Sequence, residues 1–542
     1  MSCRQSIVRY ATFASILLLL VSSTSSGAER SVWQIGKPDD SFSEFAIPGK
    51  YQEFAKTFTQ PMVFTVGQST AARDWPCVHP GPADKWAGRK GPHVFSVDFS
   101  LPNAPRGNYR LRIIFSDIHD LEPPLYAVSV GGKRVEYQLP PGTGEALSGS
   151  WWGILSQTYD VHIPTSLLKQ GENRIELTTT SGSWVLYDAL TLSQDPAVPS
   201  AAALTMEYVR RIPLAPVAHQ MEWKGVAISE RGYWCWSTWP VQGEDGKFHL
   251  FGERWPENMI SQVNNSELRH YVADKPEGPY AFVDIPLARG KKGEWDYSQI
   301  YPCVQRNGKS WAMIYTGMSG VGFESMRAGV AVADSINGPW RKTGLAIDLP
   351  KDPKHWTRPT ATEIGIHVAT FIPFHGKWYA YFKSGTRFDH DFMGVAVADR
   401  AEGPYTIMDE PCITKNGKHP GTYFEDMFPF VWKDKIYLLV TDNFGRASGL
   451  YGGIVMFESN DGLHFPYDKA RLAVDLIPAY YKEFDWKRTS NCNGPTFNPK
   501  FEAPRFLLID GVPAYFFGGT GTNVNGGGYP SSYILKILEW AP

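Results

Sequence analysis

Two adjacent carboxylates, Glu425 and Asp426, lead into an apolar stretch in "GTYFEDMFPFVWKDKIYLLVTDN" (residues 421–443). Acid–base chemistry is one reason to place charge there: one carboxylic acid protonates a departing oxygen while another carboxylate activates water or attacks. Successive side chains of an extended strand point to opposite faces, so one member of the pair is expected to face a cavity fully. The plainer reading is a pair that caps a turn on a rim. Asp296, in "GEWDYSQIYPCV", offers a further carboxylate, either as a base or as a like charge that raises the pKa of the acid. It reads equally as a turn residue after Trp295. His367, in "EIGIHVATF", titrates near neutral pH and suits an acid or a base, although a lone His also serves as a hydrogen-bonded structural residue. Glu502 and Arg505, three apart in "EAPR", suit an ion pair at a cavity mouth. Arg358 ("HWTRPT") and Arg387 ("SGTRFDHD") carry the planar fork that matches oxyanions such as a uronate or sulfate. Trp236 and Trp239, in "YWCWSTWPVQ", present flat apolar faces for stacking, a use that competes with internal packing.

Scattered residues act together only if the fold brings them together, and the sequence carries a repeat that does so. Four turns recur, "ADKPEGPY", "ADSINGPW", "ADRAEGPY" and "SNDGLHF", with Gly at 278, 338, 403 and 462 and hence separations of 60, 65 and 59. Five hairpin segments run through the same region: "GEDGKFHLFGE", "RNGKSWAMIYTG", "FHGKWYAYFKS", "WKDKIYLLVTD" and "IDGVPAYFFGG". Self-similarity of this length, with several strands and two turns per unit, predicts a five-bladed β-propeller over residues 215–542. The first strand of each blade lines the central channel, so the segments just ahead of the five hairpins converge on one cavity. Residues 29–195 instead alternate apolar and polar positions in short strands, which predicts a jelly-roll-like β-sandwich, and the Pro- and Ala-rich 196–214 reads as a linker. The fold class expected is all-β.

Arg4 and Arg9, an apolar run and then small residues give residues 1–28 the layout of a cleavable secretory signal, and a secreted or periplasmic protein is expected. No later stretch has the length and apolarity of a membrane helix. Of the six Cys, Cys3 lies in the leader; the other five are too widely spaced for a disulfide framework or a zinc or redox site, leaving room for one or two bridges. A formal net charge of −2 gives no pull toward nucleic acid or an anionic membrane surface.

The "GPY" and "GPW" turns, the acid ahead of the blade-four strand, "SNDGLHF" and "FEAPRFLLIDGVPAYFFGG" resemble the five-bladed glycoside hydrolases of family 43 and relatives in families 32, 68, 62 and 117. "VWQIGKPDDSFSEFA", "DWPCVHPGPADKWAG" and "SWVLYDALTL" resemble the jelly-roll carbohydrate-binding-like domain of rhamnogalacturonan lyases. The resemblance implies a glycosidase acting on plant or algal polysaccharides or their oligosaccharides, with Glu425 as general acid and Asp426 binding substrate or orienting the acid. It implies no cofactor beyond a structural cation on the propeller axis. The chain also departs from the pattern: relatives carry their base, an Asp, on the inner strand of blade one, where "STWP" has Ser237. Glu222, Glu230 and Asp296 are then the candidate bases. His367 stands in blade three where relatives often have Asp, and family 117 enzymes are thought to use a His. Two other readings stay open: a polysaccharide lyase using His367, Tyr301 and Arg358, and a non-catalytic glycan-binding protein.

Overall fold

The computed structural model describes residues 29–539 except 89–90, 121, 145, 148–154, 216–220, 257–264, 359–362, 387–389, 419, 421–422, 451, 475–483, 490–500, 521 and 525–530. The leader at 1–28, Cys492 and Arg387 lie outside the described residues.

The N-terminal unit is two β-sheets packed face to face. One runs Arg30–Gly36, Val185–Asp195, Asn108–Ile118, Gln157–Ile163 and Thr205–Val209 in spatial order; the other runs Met62–Thr65, Val94–Leu101, Gly171–Ser181, Leu125–Val130 and Lys133–Gln138. Alternation along Asn108–Ile118 buries Tyr109, Leu111, Ile113 and Phe115 between the sheets. The sandwich extends further than the sequence suggests. Thr205–Val209, inside the stretch read as linker, pairs antiparallel with Gln157–Ile163 and buries Met206 and Tyr208 on the sandwich core. A five-residue strand with two inward apolar residues is too short a signal to stand out beside Pro and Ala.

Five four-stranded antiparallel sheets follow, and they are the five blades. Their inner strands are Tyr233–Gln242, Ser298–Asn307, Glu363–Phe374, Phe424–Trp432 and Glu502–Ile509, and each packs against the inner strands of both neighbouring blades. The ring closes where Met221–Ile228, from the start of the region, pairs with Ser531–Ile537 to complete blade five. The recurrent Gly278, Gly338, Gly403 and Gly462 all turn the chain between third and fourth strands at φ of 73 to 84°, a left-handed conformation that explains the repeated residue. Trp295 and Trp356, each just ahead of an inner strand, lie where a Cβ on Gly329 or Gly394 would be 2.2 or 2.3 Å away, so these rings are packing elements. Cys77, Cys235, Cys303 and Cys412 are buried and unbridged. No helix among the described residues is long and apolar enough to cross a membrane.

Candidate active site

Every inner strand carries the same local distortion. Ser237, Tyr301, Val368, Asp426 and Ala503 have φ of +49, +54, +54, +60 and +51°, and at each the pairing with the second strand slips. Five equivalent bulges with left-handed non-glycine residues hold backbone strain around one mouth of the channel. The residue before each bulge is Trp236, Ile300, His367, Glu425 or Glu502, and these five form a ring of equivalent positions. Opposite them on the second strands stand Glu253, Thr316, Lys383, Thr441 and Gly519.

A bulge removes ladder bonds, and the freed backbone N–H groups are taken up by side chains of the preceding blade. Tyr301 N–H donates to the Glu253 carboxyl of blade one. Ala369 N–H donates to Thr316 Oγ1 of blade two at 3.2 Å, and Ala503 N–H to Asp426 Oδ2 of blade four at 3.0 Å. Glu425 and Asp426 point opposite ways, as expected of neighbours in a strand, although a bulge lies between them and the regular part of the strand. Asp426 turns toward blade five, is 2% exposed, and accepts from Thr441 Oγ1 at 3.1 Å and from Ala503. From this buried position it braces two blades.

Glu425 turns the other way and keeps some exposure, with 18% of its side-chain surface open. Lys383 Nζ, from the second strand of blade three and 1% exposed, donates to Glu425 Oε1. Tyr423 Oη donates to the same oxygen at 2.9 Å, and Asn443 Nδ2 donates to Oε2. Lys383 also lies 2.9 Å from Tyr423 Oη, with its ammonium over that ring. Lys383 is the cross-strand partner of His367, whose ring meets the edges of Tyr301 at 5.9 Å and Phe323 at 6.1 Å. Trp236 covers Gly519, the cross-strand partner of Glu502. Glu425, Glu502, His367 and Trp236 are thus brought to one mouth.

The electrostatics agree with a tight acidic cluster. Burial pushes Glu253 up to about 8, with the Asp426 charge adding and the Tyr301 amide and Arg505 opposing. Asp426 is raised to about 6, first by burial and then by the negative charges of Glu425 and Glu502. The Tyr301 phenol is pushed well above its ordinary range by burial, with Asp426, Glu253, Glu425 and Glu502 all contributing.

Other expected site residues lie elsewhere. Asp296 is ion-paired with Lys342 at 2.5 Å and sits 3.4 Å from Tyr315 Oη, so its blade's own outer strand engages it. Trp239 is 3% exposed and packs on Phe428, with their ring centroids 4.9 Å apart, so it floors the channel and walls no subsite. Arg505 does not pair with Glu502. Ala503 takes the chain through a bulge between them, and the buried guanidinium donates to Asp426 O at 2.9 Å and Pro504 O at 2.8 Å. Arg358 donates to Pro350 O at 3.1 Å, within the connection between blades two and three. Ser237 is fully buried, and its hydroxyl meets no partner among the described residues. Of the substitute bases, Glu222 pairs with Lys224 at 2.8 Å on the surface, and Glu230 is engaged by Arg254, Arg269 and Tyr271.

No three His, Cys, Asp or Glu side chains among the described residues are grouped to hold a metal, and the positive charge set against Asp426 and Glu253 is that of Arg505. Sequence reading missed Lys383 and Glu253. The signal for both was a charged residue inside an otherwise apolar strand, "YAYFKSG" and "HLFGERW".

The family model described as CBM-like: Polysaccharide lyase family 4, domain III matches residues 31–192, most of the sandwich but not its last strand. No curated protein matches the chain in sequence. Among solved structures, the chain is similar to a family 117 glycoside hydrolase of the marine bacterium Zobellia galactanivorans, at 16% identity and TM-score 0.44, covering 60% of this chain and 92% of that one. It is also similar to a GH43_1 enzyme from Xanthomonas citri, at 12% identity and TM-score 0.39, covering 57% and 90%. An exo-1,5-alpha-L-arabinanase from a bovine ruminal metagenomic library matches at 12% identity and TM-score 0.37, covering 57% and 95%.

Proposed function

We propose that this chain is an exported glycoside hydrolase whose site is the mouth ringed by Trp236, Ile300, His367, Glu425 and Glu502. The observation that carries the reading is the pair of partly exposed carboxyls, Glu425 and Glu502, at equivalent positions of adjacent blades, one of them gripped by the buried ammonium of Lys383. Glu425 is the proton donor. A sugar that fills the mouth excludes water from the Glu425 carboxyl, and the carboxylic acid gives its proton to the departing glycosidic oxygen, while Lys383, Tyr423 and Asn443 hold the carboxyl in one orientation. Glu502 is the second carboxylate, acting on water or on the sugar. The match of the sandwich to a CBM-like domain supports a glycan partner, and the leader at 1–28 supports an extracytoplasmic site of action.

A non-catalytic glycan-binding reading draws on one observation, the ion pair that engages Asp296 with Lys342 of its own blade. Incubating the wild type with plant and algal polysaccharides and their oligosaccharides, and following reducing ends and ultraviolet absorbance together, separates the readings. Hydrolysis gives reducing ends without absorbance. Binding with neither signal favours the non-catalytic protein, and absorbance from unsaturated products favours a lyase.

A further inference from the structure

The carboxyl of Glu425 is held at Oε2 by Asn443, and Asn443 opens a loop, residues 443–450, that the propeller does not hold alone. On the propeller side, buried Asp442 accepts from the N–H groups of Ala447 at 3.0 Å and Ser448 at 2.8 Å and from Ser448 Oγ at 2.8 Å. Asn443 N–H is tied to Tyr423 O at 3.0 Å, which sets its side chain beside Tyr423 and Glu425. The far end of the loop belongs to the other domain. Tyr208, on the last sandwich strand, donates to Gly449 O at 3.1 Å, and Arg211 donates to Arg446 O at 3.2 Å while its other nitrogen donates to Ser156 O of the sandwich at 2.7 Å. A Cβ on Gly449 would lie 2.5 Å from Tyr208 Oη and 3.1 Å from Arg211, so only glycine permits this approach at φ +80°. Leu450 and Leu472, both of blade four, are counted in the sandwich's own apolar core.

Resting on the hydrolase reading of this mouth, we propose that the sandwich is a positioning part of the catalytic apparatus. Tyr208 and Arg211 clamp the 443–450 loop, and the clamped loop fixes Asn443 against Glu425. The sandwich then does more than hold polysaccharide near the propeller: its docking sets the orientation of the proton donor. Loose docking lets Asn443 withdraw, and a carboxyl misplaced by a fraction of an ångström transfers its proton slowly.

The test uses the full chain with Tyr208→Phe, Arg211→Ala, Asn443→Ala and the Arg211→Ala/Asn443→Ala double variant. Amide hydrogen exchange across 443–450 is read in each, and kcat and KM are read separately on whichever glycan the wild type cleaves. The expected result is faster exchange in the loop for Tyr208→Phe and Arg211→Ala. For Arg211→Ala, kcat falls about tenfold with KM unchanged, and the double variant is no worse than Asn443→Ala alone. Unchanged loop exchange in Arg211→Ala overturns the proposal, as do losses that multiply in the double variant, since a merely structural Arg211 acts independently of Asn443. A wild type that cleaves no glycan refutes the hydrolase reading, and the exchange result then decides the clamp by itself.

Discussion

Among the described residues three donors reach the Glu425 carboxyl from three parts of the chain, and of these three the ammonium of Lys383 alone carries charge. Lys383→Met keeps the length and apolar stem but removes the ammonium that holds Oε1 in place. We expect a folded protein whose kcat falls about a hundredfold, read by reducing-end release, because a small misplacement of the proton donor costs about that much. Glu253 makes a prediction about stability instead. Its folded value of about 8 lies above the ordinary 4.5 because burial disfavours the charged form. The folded state therefore holds a proton that the unfolded state has lost between those values. The contribution of Glu253 is fully present below about pH 4.5 and is lost as pH rises through about 8. Asp426 and Asp442, both raised to about 6, act in the same direction at lower pH. Thermal unfolding at pH 5 and pH 8 should show the protein more stable at pH 5, with Glu253→Gln narrowing the difference by on the order of a few kcal/mol. An equal gap in wild type and variant contradicts this. Glu425 stood out in the sequence as a candidate because two adjacent acids ahead of an apolar strand are unusual. Lys383 and Glu253 were passed over because each sits inside a hairpin whose alternation looks regular, and what each one pairs with is on the next blade.

The inner strands show why side-chain direction was harder to read than strand identity. All five inner segments were placed correctly by the hairpins that follow them, yet period-2 alternation fails at each bulge, and no glycine marks the left-handed residue. Ser237, Tyr301, Val368, Asp426 and Ala503 are held there by neighbouring blades rather than by their own preference. A consequence follows for Ala503. In a regular strand Ala→Gly costs about 1 kcal/mol, but at φ +51° glycine relieves roughly that amount of strain. Ala503→Gly should therefore be neutral or slightly stabilising in chemical denaturation, and a loss of about 1 kcal/mol would show that the bulge is unstrained. Gly338→Ala should behave oppositely and cost more than about 1 kcal/mol, since its turn requires φ +81°.

The two-unit architecture and the count of blades were readable because both rest on local repetition. Ring closure was not, since the pairing of Met221–Ile228 with Ser531–Ile537 joins the two ends of the propeller and no periodicity announces it. The docking of the sandwich on blade four was hidden for a similar reason: the contact is made by Tyr208 and Arg211, within a stretch whose composition reads as linker. The central claim for the molecule is that Glu425, at the mouth of this closed ring, delivers a proton to a departing sugar oxygen. The most direct measurement compares wild type and Glu425→Gln on two glycosides of the sugar released, one with a poor leaving group and one with an activated aryl leaving group. A proton donor matters only when the leaving group needs a proton, so the variant should lose about a thousandfold on the first and little on the second. Equal losses on both, or none on either, would contradict the assignment.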